Sequence, residues 1–168
     1  EQDQISLDVI SINLSTFLSD FKKGLTPVLL SKQITLIIND VSNRLMIFAD
    51  ATKLQQILTN IVHNSIQHSK EKAEIFINVT KQLNTLQIEI VDFGAGISKS
   101  KQAQLFNSDF IKKQQKESLI NNGKGKGFGL SITKHLVELM NGSLSIISEG
   151  KNKGVIVRVQ IPVSGKET

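Results

Sequence analysis

The sequence predicts an α+β fold, a two-layer sandwich of about three helices on a mixed five-stranded sheet. Three observations carry this. Apolar residues recur at helical spacing near the start, the middle and the end of the chain. Runs of alternating apolar residues, enriched in β-branched types, lie between those segments. Turn residues separate neighbouring strand-like runs, so that they pair as hairpins. At 168 residues the chain fits one domain with a single sizeable core.

The first helix is expected over residues 6–23, where Leu7, Ile10, Leu14, Leu18 and Phe21 share a face. Pro27 follows it. Ile34 to Asn39 and Leu45 to Ala49 then read as short strands. A long helix is expected from Ala51 to Ser69, with Asp50 placed to cap its start. Two strands come next, Ala73 to Lys81 and Thr85 to Asp92, joined by a turn around Asn84. The stretch from Gly94 to Gly127 is long, polar, lysine-bearing and bracketed by glycines, and such a connection inside a compact domain is usually functional. A third helix runs from Phe128 to Met140 and is stopped by Asn141 and Gly142. Ser143 to Ser148 and Val155 to Pro162 form the last hairpin.

Composition narrows the function classes. Hydrophobic residues are 39% and charged residues 21%, an ordinary globular balance. The eight Phe come with no Trp or Tyr, so the core rests on Ile, Leu and Val. The absence of Cys rules out disulfides and thiolate metal sites. No apolar run approaches the ~20 residues that span a bilayer. The net charge of +5 is compatible with a phosphorylated ligand. The basic residues are not interleaved with aromatics and form no block, which argues against nucleic acid. The chain opens on Glu1, which suggests a fragment of a longer protein with any membrane segment lying upstream.

Three motifs carry chemistry. On the helix 51–69, Leu54, Ile57, Leu58, Ile61, Val62 and Ile66 cover one arc, and Gln56, Asn60, His63, Asn64 and Gln67 cover the other. Asn60 and Asn64 lie one turn apart on the same face. Their amide oxygens suit a hard cation such as Mg²⁺, although a merely solvated face has the same composition. Second, Val91-Asp92-Phe93-Gly94-Ala95-Gly96 ends a strand. A carboxylate there can accept a hydrogen bond from an exocyclic amine such as that of adenine, and Gly94 and Gly96 let backbone approach a flat ring. An Asp-started turn is the plainer alternative. Third, Gly123-Lys124-Gly125-Lys126-Gly127-Phe128-Gly129-Leu130 opens a helix. Backbone amides at such a place bind anions, though a flexible glycine loop reads the same way.

In this order and spacing, the motifs resemble the ATP-binding domain shared by gyrases, Hsp90 chaperones, MutL proteins and histidine kinases, the GHKL superfamily, from about Ile5 to Pro162. The run from Leu130 to Gly142 is most similar to sensor histidine kinases. The resemblance implies that residues 1–168 are one catalytic and ATP-binding domain with a long ATP lid at about 98–124. It implies Asn64 as the Mg²⁺ ligand, with Asn60 beside it in the catalytic neighbourhood, and Asp92 as the reader of the adenine amine. Gly94, Gly96, Ile97 and His68 would line the nucleotide site, and Phe106 would anchor the lid. Lys124, Gly125, Lys126, Gly127, Phe128, Gly129 and Leu130 would surround the phosphates.

The family's hydrolases usually carry Glu one turn before the metal-binding Asn, where a carboxylate can act as general base. This chain has Asn60, which favours phosphoryl transfer to histidine over ATP hydrolysis. Gln67 replaces a frequent Lys or Arg, and Asn107-Ser108-Asp109-Phe110 lacks the arginine of many lids, leaving Lys112, Lys113, Lys124 and Lys126 as candidates. None of His63, His68 and His135 lies in the His-Glu-x-x-x-Pro setting of an acceptor helix. The chain is therefore expected to be inactive as an autokinase alone. Its implied cofactors are ATP and Mg²⁺. Its implied partners are the parent's own dimerisation and phosphoacceptor domain, then a response regulator, in the cytoplasm, with any membrane contact made only through the parent. The competing readings are a degenerate or regulatory nucleotide-binding or docking module and a GHKL ATPase.

Overall fold

A computed structural model describes residues 6–39, 45–105, 107 and 128–163. Strand β1 (Val9–Asn13) is followed by α1 (Leu14–Gly24), α2 (Thr26–Ser31), β2 (Thr35–Asn39), β3 (Met46–Asp50) and α3 (Ala51–His68). Then come β4 (Glu74–Gln82), β5 (Thr85–Asp92), α4 (Lys99–Gln104), α5 (Phe128–Leu139), β6 (Ser143–Ile147) and β7 (Val155–Pro162). Five strands form one sheet in the order β2-β4-β5-β7-β6. The β2–β4 pair is parallel and the others are antiparallel, so the sheet is mixed as expected. On each central strand alternate residues are buried: Ile75, Ile77 and Val79 on β4, Leu86, Ile88 and Ile90 on β5, Val157, Val159 and Ile161 on β7. They meet the apolar arc of α3, where Leu54, Ile57, Leu58, Ile61, Val62 and Ile66 are all buried, and α5 packs beside α3. Among the described residues no helix is long and apolar enough to cross a membrane.

The start of the chain differs from expectation. The helix predicted over 6–23 begins only at Leu14, and residues 9–13 form a strand antiparallel to β3. The apolar spacing of Leu7, Ile10 and Leu14 suits a helix, but the cap overrides it. The Asn13 side chain accepts the Thr16 N–H at 3.0 Å, which fixes the helix start, and β-branched Val9, Ile10 and Ile12 prefer the extended chain before it. β1 and β3 form a separate two-stranded ribbon outside the five-stranded sheet. Pro27 does not simply break the chain, since it occupies the first turn of α2, where its missing N–H costs nothing. The beginning of the glycine-bracketed stretch is also helical: Ser98 caps α4 by accepting the Lys101 N–H at 3.4 Å.

Both ends of α3 are fastened. At its start Asp50 is buried and accepts the Lys53 N–H at 3.0 Å, the Asp8 N–H at 3.0 Å and Lys53 Nζ at 3.1 Å. At its end Lys32 Nζ donates to the Ile66 carbonyl at 2.8 Å, a cation on the negative end of the helix dipole. Burial alone would raise the Asp50 carboxyl, but the bonds from Lys53 and Asp8 more than offset it and hold the group below the usual carboxylate range. A group depressed on folding stabilises the fold above its unfolded value and loses that contribution as pH falls through its folded value. Asp50→Ala is therefore expected to cost about 1–2 kcal/mol at neutral pH. Urea unfolding should show wild type and variant converging in strongly acid solution.

α5 stops as expected. Asn141 adopts φ +57°, its N–H donates to the Glu138 carbonyl at 2.9 Å, and the Gly142 N–H donates to the Val137 carbonyl at 2.9 Å. This crossed pair satisfies the last helical carbonyls and turns the chain into β6.

Candidate functional site

The central strand β5 ends at Asp92, between Ile75 of β4 and Val155 of β7. Asp92 keeps the parity of Leu86, Ile88 and Ile90, so it is buried on the helical side, 5% exposed. Its Oδ1 accepts the Gly94 N–H at 3.0 Å. The Ser65 hydroxyl of α3, itself buried, donates to the same carboxylate. Burial pushes the Asp92 carboxyl up. The bond from Gly94, the Ser65 hydroxyl, the charge of His68 and the Val155 N–H oppose that rise without cancelling it. A carboxylate held this way is a directed acceptor in a poorly solvated place, where a hydrogen bond is worth most.

The loop after β5 is pressed against two other segments, and its glycines are required by space. A Cβ on Gly94 would lie 2.3 Å from the His68 carbonyl oxygen at the end of α3, whose carbonyl also accepts the Ala95 N–H at 3.2 Å. Gly96 has φ +65°, and a Cβ there would lie 2.0 Å from the Gly150 carbonyl oxygen in the β6–β7 loop. That loop is tied back: the Asn152 N–H donates to the Ala95 carbonyl, and Ser148 Oγ accepts the Ile97 N–H at 3.1 Å and donates to the Gly154 carbonyl at 2.7 Å. Gln102 of α4 completes the knot, donating to the Ile97 carbonyl at 2.8 Å and the Ser148 carbonyl at 3.0 Å.

Of the residues singled out in the sequence, the structure brings Asp92, Gly94, Gly96, Ile97 and His68 together where α3 meets the end of β5. Asn64 is half-buried and adjoins Ser65, the residue that bonds Asp92; Asn60, also half-buried, stands one turn earlier. Phe128 and Gly129 open α5, and Leu130 is buried in the core at its first turn. Phe106, Lys124, Gly125, Lys126 and Gly127 lie outside the described residues, as do Lys112 and Lys113.

Ser65, Ser148, Gly154 and Gln102 were missed. Ser65 left a signal, because it falls on the apolar arc of α3, four residues after Ile61 and three after Val62, where a hydroxyl needs a partner. Ser148 meets Ile97 across 51 residues and Gln102 meets Ser148 across 46, and neither left one, nor did Gly154, which acts through Ser148. Half-buried amide side chains on α3 and a buried acceptor at the end of β5 are groups that a nucleotide bringing its own cation could use. No group of three His, Cys, Asp or Glu side chains converges among the described residues. The amides of Asn60 and Asn64 stand on α3, the helix that brings Ser65 to the buried Asp92 carboxylate. Mg²⁺ is commonly held by few protein oxygens together with phosphates.

Comparison with known proteins agrees with this geometry. The family described as histidine kinase-, DNA gyrase B-, and HSP90-like ATPase matches residues 49–165. Histidine kinase P4 of Formosa agariphila is 26% identical over 163 residues, which is 97% of this chain and 12% of that protein. The chain spans between 12% and 30% of the lengths of the curated relatives set beside it. The fold matches the catalytic domain of histidine kinase ThkA with a TM-score of 0.79 at 20% identity, covering 95% of this chain and all (100%) of that one. It also matches full-length ShkA in complex with AMPPNP, with a TM-score of 0.78 at 20% identity, covering 98% of this chain and 33% of that one. The chain belongs to the histidine kinase-, DNA gyrase B- and HSP90-like ATPase family, as an ATP-binding catalytic domain of the sensor histidine kinase kind.

Proposed function

We propose that residues 1–168 form one catalytic domain that binds Mg-ATP and passes the γ-phosphate to a histidine on a separate dimerisation domain of a two-component kinase. The observation that carries this reading is the Asp92 carboxylate, buried at a strand end and held by Gly94 and Ser65. Asp92 would accept the adenine amine, and Gly94 would let the loop after β5 close against the end of α3 and so hold that carboxylate in place. Asn64 would lend its amide oxygen to Mg²⁺, whose charge, when the ion is bound, neutralises the phosphates. Asn60 can orient a neighbour by hydrogen bonding but holds no proton to exchange at neutral pH, which favours an imidazole nucleophile from outside over an activated water. A response regulator would receive the phosphoryl group in turn.

Calorimetric titration with a non-hydrolysable ATP analogue, with and without Mg²⁺, tests this. Saturable, Mg²⁺-dependent binding is expected. Asn64→Ala should remove most of the Mg²⁺-dependent part, about ten- to a hundredfold in affinity for a bond to a charged group. Transfer to an added acceptor-helix domain is the second step. Absence of binding at millimolar ligand would leave a docking module as the function, and steady turnover of ATP by the lone chain would favour an ATPase.

A further inference from the structure

Helix α3 does not finish its own C-terminus. A helix leaves its last carbonyls without intrahelical donors, and a left-handed residue after the last turn commonly brings backbone N–H groups round to them. Here Ser69 follows in extended conformation, with φ -87° and ψ 152°, so the chain leaves without wrapping back. The donors come from elsewhere. Lys32, just after α2, donates from Nζ to the Ile66 carbonyl at 2.8 Å and the Gln67 carbonyl at 3.4 Å. The Ala95 N–H, from the loop after β5, donates to the His68 carbonyl at 3.2 Å. Lys32 is itself anchored, because its carbonyl accepts the Lys72 N–H at 3.1 Å. Its side chain is half-buried and takes part in no ion pair among the described residues.

We infer that Lys32 is a positioning residue of the nucleotide site: it fixes the last turn of α3, and that turn fixes the loop bearing Asp92 and Gly94. The inference rests on the reading of Asp92 as the acceptor of the base. The line of contacts is short. The last turn of α3 carries Ser65, whose hydroxyl reaches Asp92, and the His68 carbonyl, against which Gly94 packs too closely for a Cβ to fit. Ile66, Gln67 and His68 are consecutive, so a donor that holds the first two carbonyls sets where the third can stand. A cation suits the place. The helix dipole gathers partial negative charge on these carbonyls, and a charged donor binds them more strongly than a neutral one. Among the described residues the ammonium bonds those two carbonyls and not Asp92, Asn60 or Asn64, so it acts through α3 rather than on the ligand.

Amide hydrogen exchange of the ligand-free chain tests the link. Lys32→Met keeps the apolar stem and removes the donor. It should cut the protection of the Ala95 and Gly94 amides about tenfold while the amides of β5 keep theirs, a selectivity that a general loss of stability does not produce. Lys32→Arg should restore that protection. Affinity for a non-hydrolysable ATP analogue should also fall about tenfold in Lys32→Met, an ordinary coupling within one network, and stay near wild type in Lys32→Arg. Lys23→Met removes the same unit charge from an exposed pair with Asp20 and should leave affinity unchanged, which separates position from net charge. In an Asp92→Asn background the loss from Lys32→Met should vanish, because the bond it positions is already gone. Unchanged protection at Ala95 and Gly94, protection lost evenly across β5, or a Lys32→Met chain that binds the analogue as wild type does overturns the proposal. A wild type that binds no analogue defeats the reading of Asp92 instead, and the exchange result then decides the link from Lys32 to the loop by itself.

Discussion

Asp92→Asn is expected to weaken binding of an ATP analogue by about a hundredfold while leaving the fold intact, because a buried bond to a charged acceptor is worth roughly 1.5–3 kcal/mol. The substitution keeps shape and volume. Its amide oxygen can still take the Gly94 N–H, which Asp92 Oδ1 accepts at 3.0 Å. Its amide nitrogen then presents a donor where the carboxylate presented an acceptor, and it meets the donor of the adenine amine. Stability should move the other way. The folded pKa of Asp92 lies above its unfolded value, chiefly through burial, so ionisation opposes folding. The sign follows from linkage: stability at this site is fully present below the ordinary carboxylate value and is lost as pH rises through the raised folded value. Asn carries no such cost. Thermal unfolding of the variant should match or exceed wild type at neutral pH, with the difference closing as pH falls below the ordinary carboxylate range. Loss of both affinity and thermal stability would mean that Asp92 is structural, and retained affinity would remove it from the nucleotide site.

Most of the frame was legible because its signals are local. Strands β4 and β5 alternate strictly, Asp50 announces the start of α3, and Asn141-Gly142 the end of α5. The misread segment, 6–13, failed because Leu7, Ile10 and Leu14 fit a helical period while strand pairing with β3, nearly forty residues away, and the Asn13 cap decide the outcome. Tertiary pairing overrides propensity in short segments. The same limit governs the site. Asp92, Gly94 and Gly96 stand together in sequence and were readable as a unit. Ser65 reaches Asp92 only once α3 lies on β5, and Ser148 and Gln102 hold Ile97 from elements about fifty and five residues away.

Gly96→Ala should destabilise the domain by about 2–5 kcal/mol, the sum of a left-handed alanine and an overpacked contact. Glycine there is demanded twice. At φ +65° a side chain is strained whatever the space, and the space itself is missing, since a Cβ would lie 2.0 Å from the Gly150 carbonyl oxygen and 3.0 Å from the Lys153 nitrogen. Both obstacles are backbone, so neither can swing aside as a flexible side chain would. Relief requires the Gly94–Ile97 loop and the β6–β7 loop to part, breaking the bonds from Asn152 N–H to the Ala95 carbonyl and from Ile97 N–H to Ser148 Oγ. Gly24 at the end of α1 supplies the contrast, because a Cβ there meets nothing within 4 Å. Gly24→Ala should be neutral or stabilising by about 0.5–1 kcal/mol through the entropy of the unfolded chain. Denaturant unfolding of both variants separates local geometry from any general intolerance of alanine for glycine. Gly96→Ala should also lower analogue affinity in proportion to the loop's displacement, since Gly94 and Asp92 share that loop. A Gly96→Ala protein as stable as wild type would show that the two loops are not in contact in solution, and the cradle around Asp92 would then have to be formed by the ligand rather than waiting for it.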